Sequence, residues 1–146
     1  MTKMQLSGLL LLLIGAIAPS ALAEDALTPE RLRCEYREAP LGVDITAPRL
    51  SWIVTSDKRG QRQTAYQIRV ASSEKGLAQG TADLWDSGKV ASDETVNIEY
   101  TGKALSSRTP CYWQVKVWDK DGNPSDWSDA ALWSMGLLNK SDWSAE

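Results

Sequence analysis

The segment that most constrains the fold is residues 111–118, in which two kinds of side chain alternate without interruption. Cys111, Trp113, Val115 and Val117 would share one face of a strand, because successive side chains point to opposite sides. A Gly-Asn-Pro turn and a Trp-Ser step follow, as expected of the last hairpin of a β-sandwich. The pattern predicts a strand with one face buried against a second sheet, and it favours a scaffold over a catalytic unit.

The rest of the chain repeats this pattern in short apolar stretches separated by turn residues. Strands are predicted at residues 32–36, 49–54, 64–71, 84–90, 96–100, 111–118 and 131–135. Between them, Ser73 could cap one short helical turn that a glycine ends. About seven short strands are typical of an antiparallel immunoglobulin-like or fibronectin type III-like β-sandwich, so the predicted fold class is all-β.

The predicted core uses the inward positions of both sheets. Trp52 is the expected central side chain, and its indole N–H needs a hydrogen-bond partner once it is buried. The full predicted core is Trp52, Ile68, Val70, Ile98, Trp113, Val115 and Val117.

Residues 1–23 are predicted to be a secretory signal peptide. Lys3 supplies a positive start, residues 9–17 are apolar apart from a glycine, and Ala21-Leu-Ala23 is a cleavage pattern before the acidic Glu24. Cleavage after Ala23 would give a secreted or periplasmic protein. The alternative is an uncleaved anchor, which the charged residues that follow disfavour.

The composition limits the chemistry that this chain can perform. It has no histidine, which excludes His-ligated zinc and His-based triads. Its net charge is −3 with no basic cluster, which argues against nucleic-acid and membrane partners. No two carboxylates are grouped in a pocket-forming loop, as glycoside hydrolysis would require. The sequence therefore predicts no catalytic residue, no cofactor and no metal site.

Two sets of residues leave alternatives open. Cys34 and Cys111 lie on different predicted strands, and in an oxidising compartment they could form a disulfide or remain two buried free thiols. Trp118 and Tyr112 lie on the outward face of their strand, where they could form a docking or sugar-stacking surface. The favoured alternative is packing against the domain itself, with Trp127 under a basic stem such as Lys116 in a cation–π contact.

A family resemblance covers nearly the whole chain after residue 23. It is carried by seven strings in order: LRCEY at 32–36, PLGVD at 40–44, PRLSW at 48–52, QTAYQI at 63–68, VASS at 70–73, LWDSGKV at 84–90 and YWQVKVWD at 112–119. Together they resemble the N-terminal β-sandwich module of bacterial α-L-rhamnosidases of glycoside hydrolase family seventy-eight. The resemblance implies a large secreted or periplasmic inverting glycosidase that removes terminal α-L-rhamnose. Its catalytic carboxylates would lie far downstream in an (α/α)6 barrel, and none has a counterpart here.

This resemblance sets the expected organisation and function. The sandwich module is expected at residues 24–136, and residues 137–146 resemble the start of a linker to a following domain. Leu137 and Trp143 are the candidates for a docking surface. The expected function is a non-catalytic scaffold whose partners are downstream domains of the parent enzyme and rhamnose-containing glycans. The alternatives are a self-contained carbohydrate-binding module and a protein-interaction module of a secreted adhesin.

Overall fold

Alternating apolar residues form strands that pair into two antiparallel sheets in the computed structural model, which describes residues 26–144. One sheet has the order β1-β2-β5 and the other has the order β4-β3-β6-β7. The predicted all-β sandwich is confirmed. The predicted signal peptide lies outside the described residues.

The bounds of β2, β3, β6 and β7 lie close to the predicted stretches, whereas β4 and β5 are only two residues long where residues 84–90 and 96–100 were expected. The three-stranded sheet contains β1 (Thr28–Cys34), β2 (Arg49–Thr55) and β5 (Ile98–Glu99). The four-stranded sheet contains β3 (Ala65–Ala71), β4 (Trp85–Asp86), β6 (Pro110–Trp118) and β7 (Ala131–Ser134). A short helix, α1 (Glu74–Ala78), follows β3, and a 3-10 turn (Lys140–Asp142) follows β7.

The predicted helical turn begins at the expected residue. The Ser73 hydroxyl accepts a hydrogen bond from the Gly76 backbone N–H at 3.0 Å, which satisfies one of the donors left open at a helix start. Gly80 then adopts a φ of +77°, a conformation that glycine tolerates and that ends the turn.

The first strand differs from its prediction. It runs over Thr28–Cys34 and pairs with β2 across a bulge between Glu30 and Arg33, whereas residues 32–36 were expected. The chain reverses direction at Glu35 and Tyr36, both of which have positive φ. Local alternation could not locate this strand, because its pairing with β2 determines where it starts and ends.

All seven residues of the predicted core are buried between the sheets. Trp113 and Trp133 are the largest fully buried side chains, and their rings meet edge to face at 6.4 Å between centroids. Tyr100 packs against Trp133 in the same way at 6.0 Å. Trp133 and Tyr100 are core residues that the prediction did not include.

Cys34 and Cys111 lie in the same core cluster, one in each sheet, and both are free thiols in this structure. The disulfide stays a prediction. Burial raises the pKa of each thiol to about 12, so neither is a reactive thiolate near neutral pH.

Candidate interaction surfaces

The outer face of the four-stranded sheet carries a row of alternating aromatic rings and cations. The Arg69 guanidinium lies 4.5 Å from the centre of the Trp127 ring, and the Lys116 ammonium lies 5.4 Å from the same ring. Lys116 also lies 6.0 Å from the Trp118 ring, and Lys89 lies 4.8 Å from it. The predicted contact between Trp127 and Lys116 is therefore present. We call these five residues the cation–π row.

The row changes the interpretation of Trp118 and Tyr112. A sugar that stacked on Trp118 would compete with two lysine side chains for the ring. Tyr112 lies six residues away on β6, about 20 Å along an extended strand. It sits beside Leu132 of β7 and is only half exposed. The structure does not bring Trp118 and Tyr112 together into one platform.

The segment after β7 folds back onto the sandwich. The Leu138 backbone N–H donates to the Ser107 hydroxyl at 2.8 Å, and Ser107 also contacts the Asp142 carboxylate. Leu138 packs against the core cluster, and Leu137 is half buried. Trp143, with 71% of its surface exposed, extends from this anchored segment. Leu137 and Trp143 thus lie at one end of the sandwich, on backbone that the hydrogen bonds of Ser107 hold in place.

A second exposed aromatic residue was not identified from the sequence. Tyr36 lies in the tight turn between Cys34 and Arg37, under the guanidinium of Arg49, which is 5.0 Å from the ring centre. The Tyr36 hydroxyl donates to the Asn97 side-chain oxygen at 2.5 Å. No turn signal marks the Glu-Tyr pair at residues 35–36, and these contacts join distant parts of the chain. The sequence therefore held no pattern that could have found this cluster.

A groove of about 760 Å³ runs between residues 26–32 and residues 126–132. Its carboxylates, Glu30, Glu38, Asp126 and Asp129, are all exposed to solvent. The acid catalyst of a glycosidase needs a raised pKa, which a carboxyl group gains by burial in apolar surroundings. This groove does not supply such surroundings.

Several carboxyl groups have lowered pKa values, whereas an acid catalyst needs a raised pKa. The hydrogen bond from Arg49 lowers the pKa of Glu35, and the hydroxyl of Ser107 does the same for Asp142. Asp119 is fully buried, and the backbone and side chain of Asn123 lower its pKa despite that burial. Each of these carboxylates stabilises a turn or a strand end.

The Asp-rich segment after β6 forms a hairpin turn around the Asp119 carboxylate. This carboxylate accepts hydrogen bonds from the backbone N–H groups of Asp121 and Asn123 at 2.8 and 2.9 Å, so it shapes the hairpin turn.

Within residues 26–144, no group of three or more Asp, Glu, Cys or His side chains is placed to hold a metal ion. The helices of that region include none that is long and apolar enough to span a membrane.

Comparison with known proteins gives one consistent result. The family described as the Rha78A-like, N-terminal immunoglobulin domain matches residues 29–139. An α-L-rhamnosidase of Streptomyces avermitilis is 51% identical over 112 residues, which cover 77% of this chain and 11% of that protein. An α-L-rhamnosidase of Formosa agariphila is 38% identical over 120 residues, which cover 82% and 13%.

Solved structures agree with these sequence matches. The crystal structure of the Streptomyces avermitilis α-L-rhamnosidase complexed with L-rhamnose matches with a TM-score of 0.78 at 49% identity, over 83% of this chain and 12% of that one. The α-L-rhamnosidase of Aspergillus terreus matches with a TM-score of 0.66 at 26% identity, over 81% and 13%. The chain thus spans 11–13% of the length of these relatives.

Proposed function

The chain belongs to the family of Rha78A-like, N-terminal immunoglobulin domains, and on that premise we propose that it is a non-catalytic docking module of a secreted or periplasmic α-L-rhamnosidase. The match over residues 29–139 carries this proposal and confirms the resemblance found in the sequence. The parent enzyme would hydrolyse terminal α-L-rhamnose from glycosides. The module would hold neighbouring domains in place, and chemistry would take place elsewhere in the polypeptide.

Two observations on the described residues support a non-catalytic role. The carboxyl groups with shifted pKa values, among them Glu35 and Asp142, are held in the charged form by hydrogen bonds. The carboxylates that line the groove between residues 26–32 and residues 126–132 are exposed to solvent. Glycoside hydrolysis uses one buried acid and one ionised base. Neither the carboxylates with lowered pKa values nor those that line the groove form such a pair.

The end of the sandwich that carries Leu137 and Trp143 is the proposed contact with the following domain. Trp143 is largely exposed, although a buried indole contributes a large apolar area to an interface. The preceding turn is fixed by Ser107 and Asp142, so docking would not need to order this part of the backbone. An exposed indole on anchored backbone is suited to a neighbouring protein surface.

The first test is catalytic. The purified chain is assayed on an aryl α-L-rhamnoside, with the destabilised Trp52→Ala variant as control and the Streptomyces avermitilis enzyme as positive reference. We expect turnover no higher than in the control. Rhamnosidase turnover above that control, copurifying with the folded chain, would show that the chain is itself an enzyme.

The second test is docking. The Streptomyces avermitilis enzyme is prepared without its matching segment, and binding of this chain to the truncated enzyme is measured by biolayer interferometry. We expect saturable binding that Trp143→Ala weakens and that Trp118→Ala, which removes an indole from the cation–π row, leaves within about twofold. Tryptophan fluorescence is then titrated with L-rhamnose. A flat response supports docking, whereas saturable quenching would favour a carbohydrate-binding module.

A further inference from the structure

The turn that follows β1 is built from residues that do not favour it. Cys34 and Arg37 exchange both backbone hydrogen bonds at 3.0 Å, and the two residues between them, Glu35 and Tyr36, have φ values of +47° and +64°. Positive φ at both central positions is the pattern of a type I′ turn, for which Asn and Gly are strongly preferred. Strain of this kind persists only when surrounding contacts hold it, and it concentrates at functional sites.

Arg49 and Asn97 hold this strained turn in place. Arg49 donates to the Glu35 carboxylate from its backbone N–H at 2.6 Å and from its guanidinium at 2.7 and 3.2 Å. The same guanidinium lies over the ring of Tyr36, whose hydroxyl is bound to Asn97. Asn97 itself has a φ of +57°. The result is an aromatic ring fixed across the outer face of the three-stranded sheet.

Three exposed residues on or beside the outer face of the three-stranded sheet carry large apolar side chains, and we call them the Tyr36 surface: Tyr36, Ile53 and Val96. Their exposed fractions are 55%, 45% and 55%. Ile53 lies on the outward side of β2, and Val96 follows Thr95, whose carbonyl accepts from the Trp52 backbone N–H at 2.9 Å. The outer face of the other sheet is covered by the domain's own cation–π row. Among the described residues, Tyr112 and Leu132 on the outer face of the four-stranded sheet are less exposed than the three residues of the Tyr36 surface, whereas Leu41, Ile45 and Trp143 are exposed in segments outside the strands.

We propose that the Tyr36 surface is a docking site for the polypeptide that follows this domain in the parent rhamnosidase, an inference that rests on the proposed function. The chain spans only 11–13% of its relatives, so most of such an enzyme is available to cover this face. Tyrosine and arginine are enriched at the energetic centres of protein interfaces, and preorganised side chains lose little freedom on binding. The Glu35 charge is already paired with Arg49, so the expected partner surface is apolar at its centre and polar at its rim.

The strained turn allows a sharp test. Tyr36→Gly removes the ring and places at this position the residue that tolerates positive φ. Because the relief of strain offsets the lost contacts of the ring with Arg49 and Asn97, the thermal midpoint of the variant should change little. Binding to the truncated Streptomyces avermitilis enzyme should weaken about tenfold or more. Ile53→Glu, which places a charge at the same surface, should weaken binding similarly. Tyr112→Ala, on the outer face of the other sheet, is the matched control and should bind within about twofold of the unmodified chain.

The outcomes separate this inference from the proposed function. If Tyr36→Gly and Ile53→Glu bind like the unmodified chain while Trp143→Ala binds weakly, the docking function stands and the Tyr36 surface is not its site. If the unmodified chain does not bind the truncated enzyme at all, both proposals fail. If L-rhamnose competes for binding and shifts the NMR signals of Tyr36 and Asn97, the surface is a sugar site and the inference is overturned.

Discussion

Replacing Gln63 by leucine removes a buried polar link between β2 and the segment before β5. Gln63 has 5% of its surface exposed, and its side-chain oxygen accepts the Trp52 indole N–H at 3.0 Å. Its amide nitrogen donates to the carbonyls of Ser92 and Glu94 at 3.1 and 2.9 Å. Leucine has a similar volume but makes none of these bonds, so the buried indole N–H of Trp52 and two partly buried backbone carbonyls lose this partner. At about 1 kcal/mol for each net hydrogen bond, the expected loss is about 3 kcal/mol.

The measurement is urea unfolding followed by tryptophan fluorescence. A domain of this size should have an m-value of about 1–3 kcal/mol per molar urea, so the midpoint should fall by about 1–3 M with an unchanged m-value. Gln67→Leu is the matched control, because that residue is four positions away and makes a single side-chain bond, to Asp86 at 2.7 Å on the outer face. A Gln63→Leu variant within about 0.5 kcal/mol of this control would refute the argument that the buried amide holds the segment in place.

Three further predictions follow from local contacts. In Gly102→Ala, the added methyl would lie 2.5 Å from the backbone carbonyl oxygen of Leu84. We therefore expect the free energy of unfolding, measured by chemical denaturation, to fall by about 2–4 kcal/mol, and a fall below about 1 kcal/mol would contradict this crowding. The hydrogen bond from Arg49 lowers the pKa of Glu35, so the stabilisation that this ion pair gives the folded state should be complete above pH 4.5 and lost as the pH falls through the lowered folded-state pKa. Glu35→Gln should flatten that part of the plot of unfolding free energy against pH, and an unchanged plot would argue against the pair. Burial raises the pKa of Cys34 and Cys111 to about 12, so iodoacetamide at pH 8 should label the folded chain far more slowly than the chain in denaturant, as mass spectrometry would show; equal rates would contradict their burial.

The fold was largely predictable because its main strands carry a local signal. In β2 and β6 the more buried positions alternate with less buried ones, and β3 alternates in the same way between Tyr66 and Val70, so the structure buries the predicted faces. The helix start at Ser73 was also predictable, since one side chain caps its own following turn. The signal peptide and the boundary at residue 136 stay predictions.

The candidate surfaces were only partly predictable. Trp143 was identified as a docking candidate and is exposed, whereas Trp118 proved to lie beneath two lysines. Tyr36 was missed, because its position depends on Arg49 and Asn97 rather than on its sequence neighbours. Trp133 was likewise missed as a core residue, since β7 is too short for alternation to show which face is buried.

The amino-acid sequence was sufficient to predict the main strands, β2, β3 and β6, and their buried faces, because side-chain alternation is a property of consecutive residues. It also carried the family resemblance, whose strings mostly cover those strands. Which aromatic residues stay exposed depends on contacts that form only in the folded domain. Lys89 and Lys116 cover Trp118, and Arg49 holds Tyr36 open to solvent, through contacts between residues far apart in the chain. Exposure depends on which strands become neighbours, and no local pattern encodes that pairing.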